Sequence, residues 1–226
     1  MVDVAQWATR IRDQRSRRVV FVAHCLLNEN TRYLGGARYG GAIREIVQFC
    51  LDNDIGIVQL PCPEQHAWGG VLKSRLLFFY GSEGKLRYQV RGAVLPLLVW
   101  YTRRIYRRLA RQTAAEIEDY QKSGFVVVGI IGVDASPTCG VTKSLDMKQA
   151  LARIARLKKQ TVTAEEMNAI VSSTVTTGRG LYIDLLQEEL TKRRIRVPFA
   201  AHDLLAELKG ERSMVDMRAL LTATRN

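Results

Sequence analysis

The stretch RRVVFVAHC, residues 17–25, decides the fold. Its apolar part is continuous and rich in Val and Phe, which suits a strand buried on both faces better than one facing water. The chain then passes into CLLNENTRYLGGARYGG, a Gly- and Asn-rich loop that opens on Cys25. The same pattern occurs twice more. IGIVQLP at 55–61 runs into Cys62, and GFVVVGIIGVDASPT at 124–138 runs into Cys139. In an open α/β sheet, ligands bind beyond the carboxyl ends of parallel strands. Neighbouring strands lie about 4.8 Å apart, so thiols distant in sequence can meet there.

Helical spacing fills the intervals. Ile43, Ile46, Val47 and Cys50 share one face of a helix predicted over about 42–53, which makes Cys50 a small buried hydrophobe. A long helix is predicted from Ala93 to Lys122, with Pro96 near its start and Gly124 just past its end. Residues 71–91, with a Gly-containing turn inside LLFFYGSEGKLRYQV, read as a hairpin or an irregular excursion. Together 71–122 read as an elaboration of the domain. Strand 125–131 and a helix around 146–157 follow. The next helix, 163–172, is capped by Thr163 with Glu166 three positions on. Residues 178–194 read as loop to helix. IRVPFA at 195–200 is a strand whose Pro198 calls for an edge position, and a short helix starts near Asp203. This order specifies one small doubly wound, Rossmann-like α/β domain over 1–226 with a mainly parallel sheet.

Composition narrows the function. The chain has 226 residues, 47% of them hydrophobic, enough to bury a core, so global disorder is not expected. The formal net charge of +12 favours polyanionic partners or an anionic surface. The first 18 residues mix charges without an apolar run, as in a surface helix and unlike a secretory signal. The apolar run Ala93–Tyr101 falls well short of the roughly 20 residues that span a bilayer. No transmembrane segment is expected. The expected location is the cytoplasm, where reduced thiols can hold metal.

RRIYRRLAR at 103–111 places Arg104, Arg107, Arg108 and Arg111 on one helical face. It reads either as a solvated face paired with Glu116, Glu118 and Asp119, or as a phosphate-tracking surface for RNA. TTGRGL at 176–181 reads as an anion cradle at a helix N-terminus or as a flexible turn.

Three convergent thiolates describe a metal or iron–sulfur site with a vacant position better than a disulfide framework. No CxxC pair is present, which disfavours a zinc knuckle. A zinc site completed by His24 or His66 remains an alternative, and His202 reads as structural. Asp134 reads as a turn residue or a substrate contact. Arg32 and Arg75 read either as anchors for an anionic group on a substrate or as ion-pair residues that position the loops.

At three places the chain resembles the thiouracil desulfidase family: CLLNENTRYLGG at 25–36, CPEQHAWGG at 62–70 with Arg75 shortly after, and SPTCG at 136–140. The blocks fall in the family's order and span roughly the first 140 residues. Asn28, Thr31 and Leu34 depart from its pattern. The resemblance implies a [4Fe–4S] cluster held by Cys25, Cys62 and Cys139, with a fourth iron left for the sulfur of a thiolated small molecule such as a thiopyrimidine. It also implies catalytic roles for Glu64, in proton transfer, and Ser136, in hydrogen bonding to substrate. Glu64 also suits a helix cap or an Arg partner, and Ser136 a turn. The expected chemistry is a hydrolytic, non-redox removal of sulfur. The reading from another class is a basic RNA-binding protein, acting on thiolated RNA or carrying a structural or redox-sensing metal site.

Overall fold

A computed structural model describes residues 7, 10–11, 13–80, 86–158, 160–211 and 220. Most of the segment expected to form the N-terminal surface helix, and most of the C-terminal tail, lie outside these residues.

Four strands form one parallel sheet: β1 (Arg18–Val22), β2 (Gly56–Gln59), β3 (Val126–Asp134) and β6 (Phe199–Asp203), in the order β2-β1-β3-β6. Val20, Phe21 and Val22 are fully buried, as the continuous apolar run requires. The β1–β3 register slips between Val19 and Val20, a local irregularity at the start of the strand. Helices α2 (Arg44–Asp52), α6 (Arg91–Lys122) and α9 (Leu181–Lys192) connect successive strands of this sheet. This is the doubly wound α/β arrangement that the strand–helix alternation calls for. The second half of α6 packs on α9 and β3 through a stripe that includes Tyr106, Leu109, Ala110, Thr113, Ala114 and Ile117. Its first half leaves Leu95, Leu97, Val99 and Trp100 exposed.

Three departures from the sequence reading have local causes. Among the described residues, no hairpin strands flank the GSEG turn. Ser74–Tyr80 (α4) and Leu86–Gln89 (α5) are helical, and the turn itself lies outside the described residues. The Phe and Tyr side chains of this segment favour strands intrinsically, but α4 packs against α7 (Met147–Arg156) and buries Leu76. The last strand begins at Phe199, later than Ile195. Ile195 still donates to the Leu190 carbonyl at the end of α9, and Pro198 can offer the ladder only its carbonyl, which accepts from Ile130. A two-stranded antiparallel ribbon, β4 (Lys143–Leu145) with β5 (Val175–Thr177), is additional. Its strands have three residues each, too short to show a period.

Elsewhere the local chemistry acts as read. Thr163 and Glu166 form a reciprocal capping box on α8 (Ala164–Ser173), β6 lies at a sheet edge, and Cys50 is fully buried on α2. Among the described residues no helix is long and apolar enough to cross a membrane.

Candidate active site

The site grows from the carboxyl ends of β1, β2 and β3. Ladder bonding continues one step past the strands, Ala23 donating to Ile131 at 2.9 Å and Leu60 to Val22 at 2.8 Å. The three exits are therefore held level. Each then turns sharply. Cys25 lies in the first turn of α1 (His24–Leu27), and Cys62 is the N-cap of α3 (Pro63–Trp68), with Pro63 pre-set for the first helical position. Cys139 lies in the loop after β3.

That third loop is the most tightly built. Ala135 adopts φ 65°, a left-handed conformation rare for a residue with a Cβ, so the surrounding structure holds it there. Ser136 Oγ accepts from the N–H groups of Thr138 at 3.2 Å and Cys139 at 3.0 Å. A Cβ on Gly140 would overlap the Lys143 carbonyl, so only glycine fits. The Pro137 and Thr138 carbonyls accept from Leu181, Tyr182 and Ile183, the first three N–H groups of α9. The helix N-terminus after TTGRGL is thus closed by the cysteine loop and offers no cradle to an anion.

Cys25, Cys62 and Cys139 line one cavity of about 430 Å³. All four cysteines of the chain are free thiols. Burial pushes Cys25 up to about 12, with Arg32 pulling the other way and Cys62 and Glu64 adding to the rise. Burial, then the Glu64 charge, raises Cys62 against the N–H groups of Gln65 and Glu64. Burial, then Cys25 and Cys62, raises Cys139 well above the ordinary thiol range. A bound cation reverses this logic by ionising thiols that otherwise resist it. Among the described residues, no three His, Cys, Asp or Glu side chains stand close enough to hold a single metal ion. Neither the cysteine–histidine zinc alternative nor the iron–sulfur one draws support from this spacing. A polynuclear cluster places each thiolate on a different iron and so accepts wider spacing.

Two buried polar atoms near the thiols lack hydrogen bonds: Arg32 Nε and the Tyr106 hydroxyl. Tyr106, only 1% exposed, lies in the field of Glu64, Cys139 and Cys62, and Thr138 approaches its hydroxyl without completing a hydrogen bond. Such orphans cost about 1–3 kcal/mol each. Arg32 acts on Cys25, and Tyr106 lies in the field of Cys139 and Cys62, so the negative charge of an iron–sulfur group held by these thiols would meet a cation and a hydroxyl, and the residues fit such a group.

Glu64, on α3, faces the same cavity. One carboxylate oxygen accepts from Thr138 Oγ1, and the other lies 3.8 Å from Lys73 Nζ. Ser136 Oγ is 3.4 Å from Thr138 Oγ1, which makes a hydroxyl chain from Ser136 through Thr138 to Glu64. His24 Nδ1 is 2.8 Å from Gln59 Nε2, and its pKa is lowered by burial first, then by Lys73 and His66.

The remaining sequence-predicted residues have structural engagements. Arg32 touches the cavity, but its guanidinium grips Glu207 at 2.5 and 3.0 Å and Glu29 at 2.9 Å. Asp134 accepts from the N–H groups of Val141, Thr142 and Lys143 and from the Thr142 hydroxyl, organising the loop that follows Cys139. Arg75 bonds the Ala67 carbonyl and the Tyr101 hydroxyl, both at 3.2 Å, and lies over the Tyr101 ring.

Sequence reasoning missed Lys73, Thr138 and Tyr106. Only Tyr106 left a signal: it shares the buried stripe of α6 with Leu109, Ala110 and Thr113, opposite the arginines. Those arginines line a shallow groove that includes Trp100, with the Arg104 guanidinium 5.6 Å from the Trp100 ring centre. Glu118 pairs with Lys122 and Arg193 rather than with the run, and Arg111 reaches Glu189 at 3.6 Å.

Comparison with known proteins adds one relative. The chain is 29% identical over 136 residues to an uncharacterized protein of Methanocaldococcus jannaschii, a match covering 58% of this chain and 72% of that protein. No family model matches the chain. No solved structure matches it significantly.

Proposed function

We propose that this protein is an iron–sulfur-dependent desulfidase that replaces the sulfur of a thiocarbonyl compound with oxygen. One observation carries the reading: free thiols from three adjacent strand ends open on one cavity, which they share with a carboxylate. Cys25, Cys62 and Cys139 would hold a [4Fe–4S] cluster. When bound, it supplies an iron without a protein ligand, a soft Lewis acid that prefers sulfur to oxygen.

The chain's own groups supply the rest. Glu64 is the base for water, with Lys73 balancing its charge at 3.8 Å. Ser136 fixes the Cys139 loop and, through Thr138, carries a proton to or from Glu64. Apolar walls limit bulk water. The reaction balances as C=S plus water giving C=O plus hydrogen sulfide, with no electron transferred.

The test is anaerobic reconstitution with ferrous iron and sulfide, metal analysis, and sulfide release from 2-thiouracil. Cys25→Ala, Cys62→Ala and Cys139→Ala should each lose the cluster and the activity, while Cys50→Ala keeps both. Glu64→Gln should keep the cluster and slow turnover by about 10²–10⁴. A Cys25→Ala protein that binds a full cluster and still releases sulfide would falsify the assignment.

A second reading concerns a partner. The arginine groove around Trp100 combines charge with an aromatic face, which supports RNA, including thiolated RNA, as a ligand.

A further inference from the structure

The cavity has two chemically distinct ends. At one end the loops after the strands present thiols, Glu64, Lys73, Ser136 and Thr138. The other end is built by α7, α8 and the chain between them. Among the described residues, every side chain that this segment turns to the cavity is apolar, from Met147, Leu151 and Ile154 to Met167 and Val171. Leu76 and Leu77 of α4 extend the same wall.

Met147, Ala150, Leu151 and Ile154 have the i, i+3, i+4, i+7 spacing of a helix's buried face. α4 and α8 pack against α7, and between those contacts the stripe lines the cavity. Protein interiors are close-packed, and an apolar void forfeits dispersion contacts along its whole lining. The mouth is apolar too. Leu34, Leu72 and Val162 line the cavity while remaining 56%, 61% and 39% exposed. At about 430 Å³ the space falls within the range of drug-sized ligand sites, and the Tyr33 hydroxyl, which reaches α8, is engaged by Asn168 at 2.7 Å.

We infer that the substrate is a thiocarbonyl compound carrying an apolar group of several carbons, which occupies the arm between α4, α7 and α8 and places the C=S unit at the cysteine end. This deepens the proposed function and rests on it. A bare thiopyrimidine leaves the arm empty.

The experiment is calorimetric titration of the full-length, cluster-free protein with thioacetamide, thiobutanamide, thiohexanamide and thiooctanamide, with 2-thiouracil as reference. Affinity should tighten by up to about fourfold per added methylene until the arm is filled. Met167→Trp should end the series at a shorter chain, while Met167→Leu, of similar volume, retains it. Thermal midpoints matching the parent's would show that both variants fold. Affinity independent of chain length, or a series that Met167→Trp leaves intact, overturns the assignment.

Cluster-loaded protein separates this inference from the one beneath it. Length-dependent binding without sulfide release from any compound removes the desulfidase reading and leaves the arm standing as an apolar ligand site. Sulfide release from 2-thiouracil with no gain from the tails keeps the desulfidase and removes the arm.

Discussion

Replacing Arg32 with Met tests whether this residue anchors substrate or holds the site together. Its side chain is 4% exposed and lies between two carboxylates, Glu29 at 0% and Glu207 at 4%. Glu29 also accepts from the N–H groups of Arg38 and Tyr39, and Glu207 bonds His202. Arg32→Met leaves two buried carboxylates without their shared cation, and breaking a buried pair costs about 3–5 kcal/mol. In a chain of this size that lowers the thermal midpoint by about 6–20 °C. Glu207→Gln leaves the Arg32–Glu29 pair intact and loses only charge-assisted hydrogen bonds, about 1.5–3 kcal/mol. Arg32→Met should therefore be the more damaging change.

Arg32 is one of the contacts that hold Glu207 below the usual carboxylate range, so Arg32→Met lets that carboxyl rise toward its unfolded value. The stability that depression contributes is full at neutral pH and is lost as pH falls through the folded value, so the gap to the parent protein narrows below about pH 4.5. Urea unfolding followed by circular dichroism at several pH values reads both effects. A loss below about 1 kcal/mol, Glu207→Gln as the costlier variant, or a gap that stays constant with pH would refute the ion-network account. A substrate anchor predicts the reverse pattern, with stability unchanged and KM raised.

In the parent protein, burial raises Glu207 and Asp203, but stronger opposing contacts leave both below the usual carboxylate range: His202 and Arg32 for Glu207, and the Ala206 N–H with Lys143 for Asp203. Depressed carboxylates contribute stability above their unfolded pKa, while the lowered His24 costs stability below about pH 6.5, so the urea midpoint should begin to fall there and steepen below about pH 4.5. A midpoint whose fall does not steepen below about pH 4.5 contradicts this. Gly140→Ala forces a methyl into the Lys143 carbonyl and should cost about 1–3 kcal/mol, while reconstituted iron content drops because the Cys139 loop shifts. Unchanged iron content would show that the loop tolerates displacement. If the arginine groove tracks RNA, replacing Arg103, Arg107 and Arg108 by Gln should reduce the logarithmic salt slope for single-stranded RNA by about two. An unaltered slope would place any RNA contact elsewhere.

The sheet was legible because its strands are apolar runs that end where the chemistry changes, and the position of each thiol just past such a run was enough to group Cys25, Cys62 and Cys139 on one cavity. Individual polar roles were less legible, since they depend on partners far along the chain. Arg32 invites a reading as a substrate anchor until Glu207, 175 residues away, closes on it. Asp134 has a competing set of backbone donors that only the folded loop supplies. Lys73 is a buried lysine with φ 51°, and neither property has a sequence signature outside its setting. Phe78 and Phe79 in the helix at 74–80 favour strands, so local preference there pointed away from the structure formed.

The joint between the SPTCG loop and α9 has a mechanical consequence. Because the amides of Leu181, Tyr182 and Ile183 are tied to Pro137 and Thr138, any pull on Cys139 is borne by the end of a twelve-residue rod seated on α6. The exchange rates of those amides therefore serve as a built-in strain gauge for whatever occupies the third thiol.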